Sequence, residues 1–423
     1  IPGRLERRVG KKKIQSPPLG TNETSFSHLY PVGTTGTKFL WSMFYWFEFA
    51  NMMIVTVLEV ANVAQVARQG TTFQELEQIF SMMPCIGYIL CIFVAMSKSY
   101  KMEVHRPVFE NLVSELRDMW PRGQVSDEEH DVISSALRQL NYVIKGYFWC
   151  NHVLAVVFLC PPFVELIKKA LGYEGTYYLP FIYWLPFDPI EHYFVFVLVT
   201  QTWQGFMLSG DLLFCIFLSH VTTQFDLLSV RIRRLFYVPV DKQLLQKCYR
   251  NLQTNQNELV VNSDLLEINI REIMKRIYHN NLVFIFRLAG DVENMFSFAL
   301  LVNFFNSSII ICFCGFCCVI VEKWNELIYK SFLTTALLQT WLLCWYGQRL
   351  LESSVRVSDA LYESGWYGAS QKIKSSLFIM LHRSQKNVHV TTYGFSAISL
   401  SSYTTIIKTA WSYFTLLLNI YKD

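Results

Sequence analysis

Seven times along this chain the sequence runs through enough mostly apolar residues, roughly 20, for a helix to cross a bilayer core. The runs are 39–66, 79–96, 142–167, 192–219, 282–321, 327–346 and 400–421. Only 17% of the residues are charged and 52% are hydrophobic, where a soluble chain carries about 25% charged. In hydrocarbon every backbone N–H and C=O must be satisfied within the protein, which leaves helices or closed barrels. Runs of this length select helices. The expected fold class is therefore an all-α membrane protein with seven transmembrane helices. The fifth run is longer than a crossing needs, so part of it should project into water.

Lys and Arg in the connecting segments set the orientation, since cytoplasmic loops carry the excess. Arg4, Arg7, Arg8 and Lys11 to Lys13 precede the first run; Lys98, Lys101, Arg106, Arg117, Arg122 and Arg138 follow the second. Arg231, Arg233, Arg234 and further cations to Arg276 follow the fourth, and Arg349, Arg356, Lys372, Lys374, Arg383 and Lys386 follow the sixth. The alternate loops are poor, with Arg68, Lys168, Lys169 and Lys323. The N-terminus is thus expected in the cytoplasm and the C-terminus outside. No secretory leader is evident, so the first span should serve as the targeting signal. Four regions follow: a cytoplasmic arm (1–38), a six-helix transmembrane bundle with cytoplasmic extensions and a ligand pocket (39–345), a cytoplasmic anchor segment (346–396), and a pore-lining helix with the extracellular C-terminus (397–423). The net charge of +4 reflects the inner loops and gives no reason to expect a nucleic-acid partner.

The cytoplasmic segments read as helices. PVFENLVSELRDMW places Val108, Leu112, Leu116 and Trp120 on one face, and SDEEHDVISSALRQL opens with Ser126 and an acidic first turn, a helix-start pattern. Residues 242–276 carry leucines at near-heptad spacing, and 366–384 puts Ile373, Leu377, Met380 and Leu381 on one face. Together they form a helical anchor layer beneath the membrane. The cysteine-rich run Cys312-Phe-Cys314-Gly-Phe-Cys317-Cys318 lies in an apolar helix, where cysteine is a small packing residue, and no metal or other cofactor is expected.

The last run is unusual. At about 100° per residue, Ser401, Ser402, Thr404, Thr405, Lys408, Thr409, Ser412, Thr415 and Asn419 fall in one arc of the helix. The other arc is apolar apart from tyrosine hydroxyls and one indole. Leu416 and Ile420 alone bring aliphatic side chains into the polar arc, both near the outer end. This is the pattern of a helix that lines water on one face, with an apolar constriction of the kind that gates channels by dewetting. The competing reading is a helix packed in its own bundle, its hydroxyls easing close contact. A single wall encloses nothing, so a pore requires several chains.

CWYGQRLLESSVRVSDALYESGWY (344–367) and TTYGFSAISLSSYTTIIKTAWSYFTLL (391–417) resemble the C-terminal third of insect odorant receptors, and YLPFIYWLPFDP (178–189) resembles their second extracellular loop. Within that family the chain resembles a ligand-tuning subunit, because the shared co-receptor's long intracellular insertion has no counterpart here. The resemblance implies a seven-span subunit in a tetramer with odorant receptor co-receptor subunits around one pore. A small volatile organic ligand would open a poorly selective cation channel in the plasma membrane of olfactory sensory neuron dendrites. Aligned through Tyr413-Phe414, the family's hydrophobic gate falls on Leu416 and Ile420, and its polar pore position on Asn419.

The resemblance also implies a ligand site in the outer half of the bundle, between spans two, three, four and six. Helix faces suggest Phe80, Met83 and Tyr88 on span two, Leu154 and Phe158 on span three, Phe196, Thr200, Trp203 and Gln204 on span four, and Thr334 and Leu338 on span six. Each, taken alone, reads first as bundle core. Tyr183, Trp184 and Phe187 would form a lid or, equally, anchor the chain at the membrane interface. Glu48 and Glu59 on the first span are read as structural or inter-subunit residues; Asp211, Asp291 and Glu293 are expected to pair with basic residues near the cytoplasmic boundary. The alternative function is a heptahelical receptor signalling through a cytoplasmic GTP-binding protein. The charge distribution and the lack of DRY or NPxxY patterns oppose it. A transporter or an enzyme has no repeat, broken helix or catalytic constellation to support it.

Overall fold

The computed structural model of the chain describes residues 13–14, 35–68, 76–121, 123–172, 203–234, 274, 282–320 and 325–422. Nine helices organise them: α1 (Thr35–Arg68), α2 (Leu76–Val104), α3 (Arg106–Asp118), α4 (Asp127–Ala170), α5 (Trp203–Arg233), α6 (Phe284–Ile320), α7 (Asn325–Glu363), α8 (Gln371–Ser384) and α9 (Leu400–Lys422). The seven long ones, all but α3 and α8, coincide with the seven apolar runs. Among the described residues, Ser42–Gln65, Gly210–Arg233 and Phe284–Val319 combine length with the apolarity of an unaided crossing.

Several helices are longer than the runs that announced them. α4 spans 44 residues, so the segment opening at Ser126 and the third span are one rod. α5 continues beyond residue 219 to Arg233, and α7 passes through the expected boundary at 345/346. Those boundaries mark a change from apolar to charged composition, which alters the solvent a helix sits in without interrupting its backbone hydrogen bonds. The helix expected over 242–276 lies outside the described residues apart from Met274, which is buried.

Local chemistry explains where helices begin. Ser126 and Glu129 form a reciprocal capping box: the Ser126 N–H donates to Glu129 Oε2 at 3.1 Å, and the Glu129 N–H donates to Ser126 Oγ at 3.3 Å. Glu129 Oε1 also accepts from Arg231 Nε at 2.7 Å, joining the start of α4 to the end of α5. Burial pushes this carboxyl up, but the Arg231 guanidinium and the Ser126 N–H outweigh it, and it titrates below its usual range. α3 starts after a break at His105, with proline in its first turn, where the missing N–H costs nothing. Its buried face is Phe109, Leu112 and Leu116. Val108, expected there, is exposed, and Phe109 packs edge-on against Phe217 with ring centroids 5.4 Å apart. α8 buries Ile373, Leu377 and Met380 as its spacing predicts, with Leu381 partly buried beside them.

α5 is the axis of the packing. Leu213, Phe214, Leu218, Val221 and Phe225 are buried against partners from α3, α6 and α7 in the main apolar cluster. α1 is the opposite case: Phe39, Leu40, Phe44, Phe47, Ile54 and Val57 are all exposed, as suits a helix facing lipid. A two-residue antiparallel ladder, Lys13–Ile14 with Gly123–Gln124, ties part of the expected arm to the turn before α4.

Candidate pore and ligand site

α9 carries its polar residues on an open face. Ser401, Thr404, Thr405, Lys408, Thr409, Ser412 and Asn419 are exposed, and Leu416 and Ile420 are exposed with them. Thr415 and Ser402 are half-buried, while Ala410, diametrically opposite, is buried. Trp411 and Tyr413, expected on the packing side, are exposed and flank the stripe. The packed face meets α6 at a small residue: a Cβ on Gly315 would be 3.6 Å from the Phe414 ring.

The hydroxyls of the stripe donate to the helix's own backbone. Thr404 donates to the Leu400 carbonyl, Thr405 to Ser401, Thr409 to Thr405, Ser412 to Lys408 and Thr415 to Ser412, at 2.9–3.1 Å. With the hydrogens turned inward, the oxygen lone pairs remain for whatever faces the helix. Such a surface offers acceptors to cations and few donors to anions. Lys408 is the one ammonium along it.

The start of α9 is fixed from two sides. Tyr393 (φ 52°) and Gly394 (φ 81°) turn the chain tightly, closed by the Thr392 N–H on the Ser396 carbonyl at 2.8 Å. Glu293 of α6 holds this turn, accepting from the Thr391 N–H at 3.0 Å and from the Thr391 hydroxyl. The carboxylate expected to meet a basic residue thus meets a turn instead, whereas Asp291 lies 3.9 Å from Arg287. On the other side α7 passes so close that a Cβ on Gly347 would lie 2.5 Å from the Ile398 carbonyl oxygen and 2.8 Å from its Cγ2. Only glycine fits this crossing.

The expected ligand residues distribute unevenly. Leu154 is buried in an apolar cluster with Met52, Ile92 and Ala336. Thr334 and Leu338 lie on the exposed side of α7, whereas Thr335, Ala336 and Thr340 are buried. A choice of the 334/338 or the 335/339 face cannot be made from a helix with apolar residues on both. Phe80, Met83, Tyr88, Phe158, Trp203 and Gln204 fall in α2, α4 and α5, with side chains outside the description; Phe196, Thr200, Tyr183, Trp184 and Phe187 lie outside the described residues.

At the centre of the bundle sits a polar cluster that spacing did not reveal. Lys98, counted above among loop cations, is buried within α2 and pairs with Asp211 of α5 at 2.5 Å; their side chains are 4% and 2% exposed. The Tyr147 hydroxyl donates to Asp211 Oδ2 at 3.1 Å, and Gln339 Nε2 donates to the same oxygen at 2.6 Å. Gln339 also approaches Asn303 Oδ1 at 3.4 Å. Four helices, α2, α4, α5 and α7, thus meet on one carboxylate, and α6 joins through Asn303 on Gln339. Gly210 makes room for the lysine stem, since a Cβ there would be 3.0 Å from Lys98 Cδ. The available signal was a pattern across segments: one cation and one anion within apolar runs must find each other.

Residues 79–411 match the family model described as 7tm odorant receptor. The chain belongs to the odorant receptor family. It is a seven-helix membrane receptor, not an enzyme. Among curated odorant receptors, it is 25% identical over 362 residues to odorant receptor 67c of Drosophila melanogaster, covering 83% of this chain and 82% of that one. It is 34% identical over 180 residues to odorant receptor 13a of the same species, a match over 38% of this chain and 42% of that one. Among solved structures, the olfactory receptor OR5 of Machilis hrabei in complex with eugenol superposes with a TM-score of 0.71 at 15% identity, over 92% of this chain and 91% of that one.

Proposed function

We propose that this odorant receptor is the ligand-tuning subunit of a ligand-gated, poorly selective cation channel, acting in a plasma-membrane tetramer with co-receptor subunits. The observation that carries the reading is α9: a stripe of exposed hydroxyls whose donors are turned onto their own helix, closed near its end by Leu416 and Ile420. Exposed polar residues along a membrane helix need water or another chain, and four such helices around an axis supply both. The N-terminus is cytoplasmic and the C-terminus extracellular. A small, largely apolar odorant binds in the outer half of the bundle near Leu154. Its binding is passed to α9 through the Gly347–Ile398 crossing and the Glu293–Thr391 contact.

Patch recording from cells co-expressing this chain and the co-receptor tests the reading. Leu416→Ser should raise current without ligand, because a dry constriction becomes wettable. Trp203→Ala should shift ligand sensitivity and leave ion permeability unchanged. Ligand-evoked current that persists in excised patches without nucleotides supports a channel; current that vanishes there points to signalling through a GTP-binding protein.

A further inference from the structure

Two buried amides on α6 are left over by the central pairing. Asn303 is 1% exposed; its carbonyl oxygen faces Gln339, but its NH2 meets no acceptor among the described residues. Asn306 is 3% exposed; its NH2 points at the Cys91 sulfur, a weak acceptor 3.8 Å away, and its carbonyl oxygen meets no donor among the described residues. At i and i+3 they are neighbours on one helix face. An unmatched donor and an unmatched acceptor therefore lie side by side in the bundle interior. Native proteins rarely leave such groups without partners, so a group with both hydrogen-bonding senses belongs between them.

Their surroundings indicate its character. α2 and α7 run in one direction and α4 and α6 in the other, so the polar residues fall into two successive layers. Lys98, Tyr147, Asp211 and Gln339 make one. In the next layer toward the end of α6 lie two further contacts, Cys150 Sγ at 3.8 Å from Thr335 Oγ1 and the Asn306–Cys91 pair. Cys91 also belongs to the apolar cluster of Leu154 and Ala336. Hydrogen-bonding groups thus adjoin an apolar wall, the arrangement that fixes the orientation of a small amphiphile.

We infer that Asn303 and Asn306 form a polar floor to the ligand site and that the ligand class is small alcohols. The ligand oxygen accepts from Asn303 Nδ2, its hydroxyl hydrogen is donated to Asn306 Oδ1, and its carbon skeleton lies against Leu154 and Ala336. An ether satisfies only the donor, and an alkane satisfies neither. The inference rests on the ligand-gated reading above and adds the chemical class.

The test uses the full chain with the co-receptor and matched sets of alcohol, methyl ether and alkane over a range of chain lengths. Alcohols should act at about tenfold lower concentration than the ether or alkane of the same length, as one well-made hydrogen bond allows. Asn303→Leu should remove that advantage while the response to alkanes persists, and Asn306→Ala should diminish it. Equal potency across each set in the native chain overturns the inference. So does an alcohol advantage that survives in both variants, the result expected if the two amides hold only a structural water. If Asn303→Leu does not reach the cell surface, Asn306→Ser, smaller and still polar, is compared with the native chain under the same criteria. The Leu416→Ser leak separates the two claims: leak with no response to any alcohol overturns the hydroxyl floor and leaves the channel, whereas no leak removes the channel itself.

Discussion

α9 and the bundle centre both place polar side chains at membrane depth, and they satisfy them in opposite ways. On α9 the hydroxyls of Thr404, Thr405, Thr409 and Ser412 bond the backbone of their own helix and keep an exposed flank. In the centre, Lys98, Tyr147 and Gln339 converge on Asp211 from three other helices. The first arrangement is complete without a neighbour and leaves a surface for water. The second exists only when the helices are assembled, and it leaves no surface at all. Polarity within a membrane helix therefore has no single meaning; what decides it is whether the side chain's partner lies on its own helix or across the bundle.

The largest effect that distinguishes the two regions is expected at Asp211. Asp211→Leu leaves the Lys98 ammonium buried and unpaired, at about 3–5 kcal/mol, and should abolish surface expression. Lys98→Met combined with Asp211→Leu should recover most of it. Its counterpart on the stripe, Ser412→Ala, should leave thermal stability in detergent within about 0.5 kcal/mol of the native protein. A tolerated Asp211→Leu, or a damaging Ser412→Ala, would erase the contrast.

A smaller effect is expected where the two regions join. Gly347→Ala forces a methyl group into the Ile398 carbonyl, an overpacking of about 1–3 kcal/mol. Because the strain falls on the segment entering α9, it should change open probability more than ligand affinity, seen as altered maximal current at saturating ligand. Smaller still, Lys408→Gln removes the one ammonium of the stripe and should raise cation conductance in single-channel records without changing ligand sensitivity.

The smallest effect lies outside the membrane, at the α4 start. The Glu129 carboxyl titrates below its usual value of 4.5, so its contribution is present above that pH and is lost as pH falls through the depressed value. Glu129→Gln should lower the melting temperature slightly at pH 7, and the difference from the native protein should shrink on acidification below about pH 4.5.

Much of α9 was legible in advance because a helix fixes the angle between successive residues, and Ser401, Thr405, Lys408, Thr409 and Ser412 declare their common face by number alone. The same rule failed for Thr334 and Leu338, since it gives a residue's face but not which face turns inward. Lys98 was misread for a related reason: charge made it look like a loop residue, and only its partner across the bundle explains its burial. Asn303 and Asn306 were visible as polar interruptions in an apolar run, but one helix cannot say that a donor and an acceptor stay unmatched.

From the primary structure alone follow the membrane class, the seven helices, the polar arc of the last one and its two aliphatic interruptions. These depend on transfer of side chains from water and on helix periodicity, both local and additive along the chain. The meeting of four helices on Asp211, the glycine crossing at Ile398 and the two leftover amides on α6 depend on which residues, distant in sequence, come within hydrogen-bonding or van der Waals distance. That is set by packing, where a separation of one ångström decides whether a group is paired.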